Sequence, residues 1–207
     1  MNQTFEINNK QTKEYYIGKN KFIVINDFYK NPDNVVKYFS KIDDFWHKHS
    51  SGFFHQGIDF IDRRHYAFSF ELKPIHEFLE TITKRKHINV DDNYPKLGTS
   101  TNYTKFLNDK YLDYYFYPHT DNGITALVYL NKINSNGTNF YEPINFVQGE
   151  EHKEHFYTKN DVKVIHHIKS EYNKLIIWDG KNLLHGLCMD KKYINNWRLN
   201  QVFFFED

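Results

Sequence analysis

One cysteine, five prolines and nine glycines are all that the 207 residues hold of these three types. Cys188 alone cannot close an internal disulfide, which fits a reducing compartment. So little proline and glycine excludes a collagen-like or low-complexity chain. No apolar run reaches the roughly 18 residues that a membrane-spanning helix needs. The first residues, MNQTFEINNKQTKEYY, are polar and lack the apolar core of a signal peptide. Neither sign of charge dominates: 27 basic and 26 acidic residues leave a formal net charge of +1. A general attraction to nucleic acid or to an anionic membrane is thereby excluded. No internal repeat and no linker divides the chain. The expectation is one soluble, cytoplasmic domain with room for a substantial core.

What is abundant is aromatic: 19 Phe and 16 Tyr, residue types that suit pleated, half-buried surfaces. KFIVINDF (21–28) reads as a strand. Asn31-Pro32-Asp33 then opens a helix, with Asn as cap and Pro at the first helical position, followed by Val35, Phe39 and Ile42 at helical spacing. A second helix is expected around 73–86, where Ile75, Phe78, Leu79 and Ile82 share a face. From about residue 97 short runs follow one another: TSTNYTKF, LDYYFYP, ITALVYL, TNFYE, INFVQ, VKVIHHI, NKLIIWD, LLHGLCM and WRLNQVFFF. Evenly spaced short strands point to a sandwich or barrel. The expected organisation is a helical support region over 1–96, packed on a β core of about eight strands over 97–207.

Within YPHTDNGITALVYLN (117–131), His119 and Asp121 stand two apart between two strand-like runs. With 12 His and 15 Asp in the chain, chance alone yields about one His-x-Asp. Its place at a strand end gives it meaning, because side chains two apart on an extended segment point the same way. An imidazole and a carboxylate on one face can fill adjacent positions on one ion, and a facial triad needs one further His. His166 and His167 alternate in a strand. His152 and His155 lie in the charged run GEEHKEH, with a rival His152-x-Glu154 pair. His47, His49, His55 and His65 sit in a polar aromatic stretch. His185 differs: a buried strand, a tight turn at Asp179-Gly180 and a second strand carry it inward, either as a core residue or as a ligand. Arg198 follows at the start of the apolar run WRLNQVFFF. Burying it requires an anion for its guanidinium, whether an internal Asp or Glu or a bound carboxylate. Asn200 faces the same side.

In this order the residues resemble the iron(II)- and 2-oxoglutarate-dependent oxygenases. The pattern of that superfamily is His-x-Asp, a distant His, then Arg-x-Ser. Here these positions are His119-x-Asp121, His185 and Arg198-x-Asn200. TALVYLN (125–131) with NGTNFYE (136–142), KLIIWDGKNLLHG (174–186) and KFIVINDFYKNPDNVVKYF (21–39) are similar to segments of the prolyl-hydroxylase-like branch. Asn136 replaces the first Gly of the usual Gly-Gly-Thr, and Asn200 replaces the usual Ser.

The resemblance implies a double-stranded β-helix core, a jelly-roll relative of the cupins. It implies Fe(II) held by His119, Asp121 and His185, with 2-oxoglutarate and O2 at the open positions. The far carboxylate of 2-oxoglutarate would meet Arg198, helped by Asn200 and a tyrosine from among Tyr103, Tyr111, Tyr117 and Tyr129, with Tyr129 and Tyr103 preferred. The retained carboxylate of Asp121 favours hydroxylation over halogenation. The implied substrate is a protein side chain of prolyl type or a small metabolite such as an amino acid, with nucleobases least favoured. Residues 50–66 border the site as a substrate loop or form an ordinary surface connection. Two other readings stand beside this one: a cupin-like hydrolase or isomerase using the same ligands with another divalent metal, and a metal-free jelly-roll binding module.

Overall fold

The structure is a computed structural model that describes residues 3–8, 11–41, 46–55, 58–66, 69–88, 99–145 and 156–207. Two helices and thirteen strands fall within them. The strands are β1 (Lys13–Ile17), β2 (Asn20–Ile25), β3 (Trp46–His55), β4 (Ile58–Tyr66), β5 (Thr99–Phe106), β6 (Tyr115–His119), β7 (Ile124–Tyr129), β8 (Ser135–Pro143), β9 (Phe156–Tyr157), β10 (Val162–Ser170), β11 (Leu175–Asp179), β12 (Leu184–Leu187) and β13 (Arg198–Phe205). The helices are α1 (Pro32–Lys41) and α2 (Ser69–Thr83). Among the described residues no helix is long and apolar enough to cross a membrane.

All strand pairs are antiparallel, in two sheets. One has eight strands in the order β1-β2-β11-β7-β13-β5-β4-β3, the other five in the order β10-β8-β12-β6-β9. The larger sheet buries both faces, which is why its central strands read as unbroken apolar runs rather than alternating ones. Ile23, Ile25, Ala126, Val128, Leu175, Ile177, Leu199, Phe203 and Phe205 face the helices, meeting Val35 and Phe39 of α1 and Leu72, Ile75 and Leu79 of α2. The alternate residues Phe22, Leu127, Tyr129, Ile176, Trp178 and Val202 face the smaller sheet and pack on Phe140 of β8. A third cluster, around Phe60, Phe106, Tyr111, Leu187 and Tyr193, closes the β4–β5 side.

Both helices lie within residues 1–96, as expected, but that region also builds much of the sheet. β1 to β4 lie within residues 13–66 and supply half of the eight-stranded sheet. Of residues 50–66, expected as a loop or surface connection, 50–55 and 58–66 belong instead to β3 and β4, which pair with each other at the sheet edge. Neither hairpin shows the period-two apolar pattern, since edge strands are covered on fewer sides. In β1, four of five residues are exposed. Helix α2 begins at Ser69 rather than about 73, which places Pro74 inside the helix. The INFVQ run forms no strand at Ile144 and Asn145, and its remainder lies outside the described residues.

Candidate metal centre

His119 is the last residue of β6, and Asp121 stands in the turn that follows rather than in the strand itself. The backbone of that turn is held by a hydrogen bond from Asp121 N to the Gly180 carbonyl, 2.9 Å. The adjacent strand brings in His185, which pairs with His119 across the β6–β12 ladder. Between this pair and Phe116–Leu187, two residues of β6 stand opposite one of β12, so β6 carries a bulge at Tyr117–Pro118. Bulges re-aim side chains, and here Tyr117 takes a left-handed φ of 49°, a conformation costly for an aromatic residue. Its carbonyl thereby meets Nδ1 of His119 at 2.7 Å.

The three ligand atoms of His119, Asp121 and His185 all lie within 4.8 Å of one another. Asp121 Oδ1 is 3.6 Å from His119 Nε2, and Oδ2 is 3.2 Å from His185 Nε2. Donors bound cis on one ion at about 2.1 Å stand about 3 Å apart, so the carboxylate contacts already approach that arrangement. Both imidazoles are oriented from behind: Nδ1 of His185 meets the Leu183 carbonyl at 2.9 Å, as Nδ1 of His119 meets Tyr117. With each Nδ1 engaged away from the site, both Nε2 atoms face the carboxylate. Three groups able to ligate a metal thus converge on one point, and a backbone carbonyl on Nδ1 is how metal-ligating histidines are fixed.

The carboxylate is largely buried, its side chain 12% exposed. Burial pushes the Asp121 carboxyl up, but the neighbouring imidazoles, His185 foremost, and the Thr125 hydroxyl outweigh it and hold the group well below the usual carboxylate range. Thr125 donates to Asp121 Oδ2. Trp178, 2% exposed, walls the site, with Nε1 3.3 Å from His185 Nδ1. Gly180 is required by close approach: a Cβ there would lie 2.4 Å from Thr125 Oγ1 and 2.9 Å from Asp121 Cβ.

Further along the same inner face, Arg198 is 6% exposed. Among the described residues no carboxylate pairs with it, and its Nε has no hydrogen-bond partner. The Asn200 amide, two residues on, lies against both terminal guanidinium nitrogens and, with its oxygen turned to them, would accept from both. Tyr129 lies opposite Asn200 in the β7–β13 register and shares this face. Its hydroxyl is 2.7 Å from Thr138 Oγ1. Tyr103 is placed differently from the expectation. It is opposite Leu199 and packs on the helix-side core, so the β-sheet itself separates it from Arg198. Tyr111 lies in the third cluster, donating to the Asp190 carbonyl at 2.5 Å.

Of the other histidines, His166 is exposed, while His167 Nδ1 is 3.0 Å from Asn139 Oδ1. His152, Glu154 and His155 lie outside the described residues. Reading the sequence missed Thr125, Thr138 and Tyr193, the last beside Arg198. Threonines and tyrosines are frequent here and carry no spacing signal. The departure at Asn136 falls where a side chain fits; the retained Gly137 does not tolerate one, since a Cβ would be 2.3 Å from the Ile168 carbonyl. No protein-family model matches this chain, and no curated protein matches it.

Proposed function

We propose that the protein is an Fe(II)- and 2-oxoglutarate-dependent oxygenase whose two facing sheets form a double-stranded β-helix. The observation that carries this reading is the pairing of two incomplete sites on one buried face. One is a His-Asp-His set whose Nδ1 atoms are already engaged; the other is a guanidinium with no carboxylate among the described residues. The spacing supports a small diacid between them. Thr138, which holds Tyr129, is two residues from Phe140, the partner of His185 in the β8–β12 register. Two residues of strand span about 6–7 Å, and the four C–C bonds of a five-carbon diacid span about 5 Å.

His119, Asp121 and His185 would hold the metal on one side and leave the opposite positions open. Bound there with 2-oxoglutarate and O2, the metal would supply the oxidising chemistry of the reaction. The chain's own work is placement. Asp121 contributes the negative charge that favours a divalent cation, and Thr125 fixes which oxygen turns towards His185. Arg198 offers charge-assisted hydrogen bonds to the far carboxylate, and the ring of Tyr129 with Trp178, Phe140 and Val202 excludes water. A hydrolase or isomerase of cupin type would have no use for the buried guanidinium.

Equilibrium binding of Fe(II) and then of 2-oxoglutarate, without oxygen, tests the reading. His185→Ala should abolish metal uptake. Arg198→Met should keep the metal and weaken 2-oxoglutarate roughly a hundredfold, the scale of a buried charge-assisted contact. Wild-type protein that takes up metal but not 2-oxoglutarate would favour the hydrolase or isomerase reading instead.

A further inference from the structure

We propose that Asn131 is a positioning residue: its side-chain amide fixes the backbone on both sides of Arg198 and so aims the guanidinium at an incoming carboxylate. This inference rests on the anion-binding role of Arg198 proposed above.

The place where β7 and β13 part carries it. In their register Asn200 stands opposite Tyr129, and the next rung is the bond from Leu130 N to the Leu199 carbonyl, 3.0 Å. The ladder stops there, one rung short of Arg198. From the other direction the chain reaches Arg198 through Asn195 and Asn196, both exposed, with Asn195 in the left-handed region at φ 55°. Arg198 is the first residue of β13, and a strand end entered from an exposed turn is where backbone frays first. On one side it has the β5 ladder, where it stands opposite Thr104. On the other, Asn131 takes over from the β7 backbone. Its Nδ2 donates to the Trp197 carbonyl at 2.7 Å, and its Oδ1 accepts from Leu199 N at 2.5 Å.

Those two bonds bracket Arg198. The Trp197 carbonyl lies in the peptide plane before its Cα, and the Leu199 N–H lies in the plane after it. The two planes set φ and ψ of Arg198, and with them the direction of its Cα–Cβ bond. Both partners are backbone groups of fixed polarity, so the amide has one orientation: nitrogen to the carbonyl, oxygen to the N–H. An amide serves here as a surrogate peptide group of β7. Aspartate would keep the acceptor and lose the donor, and alanine would lose both. Arg198 is buried and pairs with no carboxylate among the described residues. No opposing charge sets its aim, which therefore depends the more on its backbone.

The test measures the binding of two 2-oxo acids to anaerobic Fe(II)-loaded protein: 2-oxoglutarate, and pyruvate, which has no far carboxylate. In Asn131→Ala the dissociation constant for 2-oxoglutarate should rise about tenfold, a part of the roughly hundredfold that loss of the whole Arg198 contact costs. That for pyruvate should change by less than about twofold, with Fe(II) affinity preserved. Asn131→Ser, a smaller truncation, should show the same selectivity at smaller size. In an Arg198→Met background, Asn131→Ala should no longer affect 2-oxoglutarate, because it acts through Arg198. Equal weakening of both acids, no weakening of either, or a loss for 2-oxoglutarate that persists in the Arg198→Met background would overturn the positioning role. Wild-type protein that binds pyruvate and 2-oxoglutarate equally well would overturn the anion reading of Arg198 and this inference with it.

Discussion

A methyl group on Gly180 would disturb the candidate centre without altering any ligand atom. The added Cβ would stand 2.4 Å from Thr125 Oγ1, 2.8 Å from the Gly123 carbonyl oxygen and 2.9 Å from Asp121 Cβ. Ordinary contacts of this kind begin near 3.5 Å, so the 121–125 turn must retreat by about 0.5–1 Å. Two of the three obstacles are backbone or the ligand residue itself, and rotating Thr125 would relieve only the first. Overpacking of this size costs about 1–3 kcal/mol, and each kcal/mol lowers the thermal midpoint of a chain this long by roughly 2–4 °C. Moving Asp121 away from His119 and His185 should in addition weaken divalent metal binding by about 10–100-fold, as losses of supporting contacts do. The assay is calorimetric titration with Fe(II) or Co(II) on folded Gly180→Ala protein. Gly137→Ala is the control: its Cβ would clash as severely, 2.3 Å from the Ile168 carbonyl, but on the β8–β10 pair. It should cost stability and leave metal affinity alone. Gly180→Ala protein that binds metal as tightly as wild type would refute the role assigned to this turn.

Two further outcomes follow from buried charge. His76 of α2 stacks on His87 with ring centroids 3.7 Å apart. Burial, then the charge of His87, pushes its imidazole down from 6.5 to about 3. The unfolded chain thus binds the proton first, so stability should fall as pH drops from about 6.5 towards 3, by up to about 1.4 kcal/mol per pH unit. Denaturant titrations should show a shallower fall in His76→Gln over that window, and equal slopes would contradict the assignment. Arg198→Met should leave the unliganded protein as stable as wild type or more so by denaturant titration, because a buried charge without a carboxylate partner is removed. A loss above about 2 kcal/mol would mean that Arg198 serves the fold.

Strands with both faces buried were legible in the sequence. TSTNYTKF spans β5, and ITALVYL, NKLIIWD and WRLNQVFFF enclose β7, β11 and β13 to within two residues. Burial on both sides makes β7 and β11 nearly apolar throughout, and the turn at Asp179-Gly180 bounds β11 clearly. β1, β3 and β4 were not legible, because KEYYI and the His- and Asp-rich 46–66 stretch are polar where the sheet runs to its edge. His119, Asp121 and His185 converge as their order implies. Tyr103 shows the limit of such reasoning: the right strand was chosen, but alternation turns its ring to the helix side. Tyr193 lies in a turn with no periodicity, and only its contacts to Ser135 and Asn136 distinguish it from the other tyrosines.

The most direct test of the account is an anaerobic titration of the protein with Fe(II) and 2-oxoglutarate, followed in the visible range. A metal-to-ligand charge-transfer band should grow to saturation in wild-type protein and be lost in Asp121→Ala, since the band requires metal and 2-oxo acid in one site. A wild-type protein that shows no band with both ligands present would contradict the oxygenase reading.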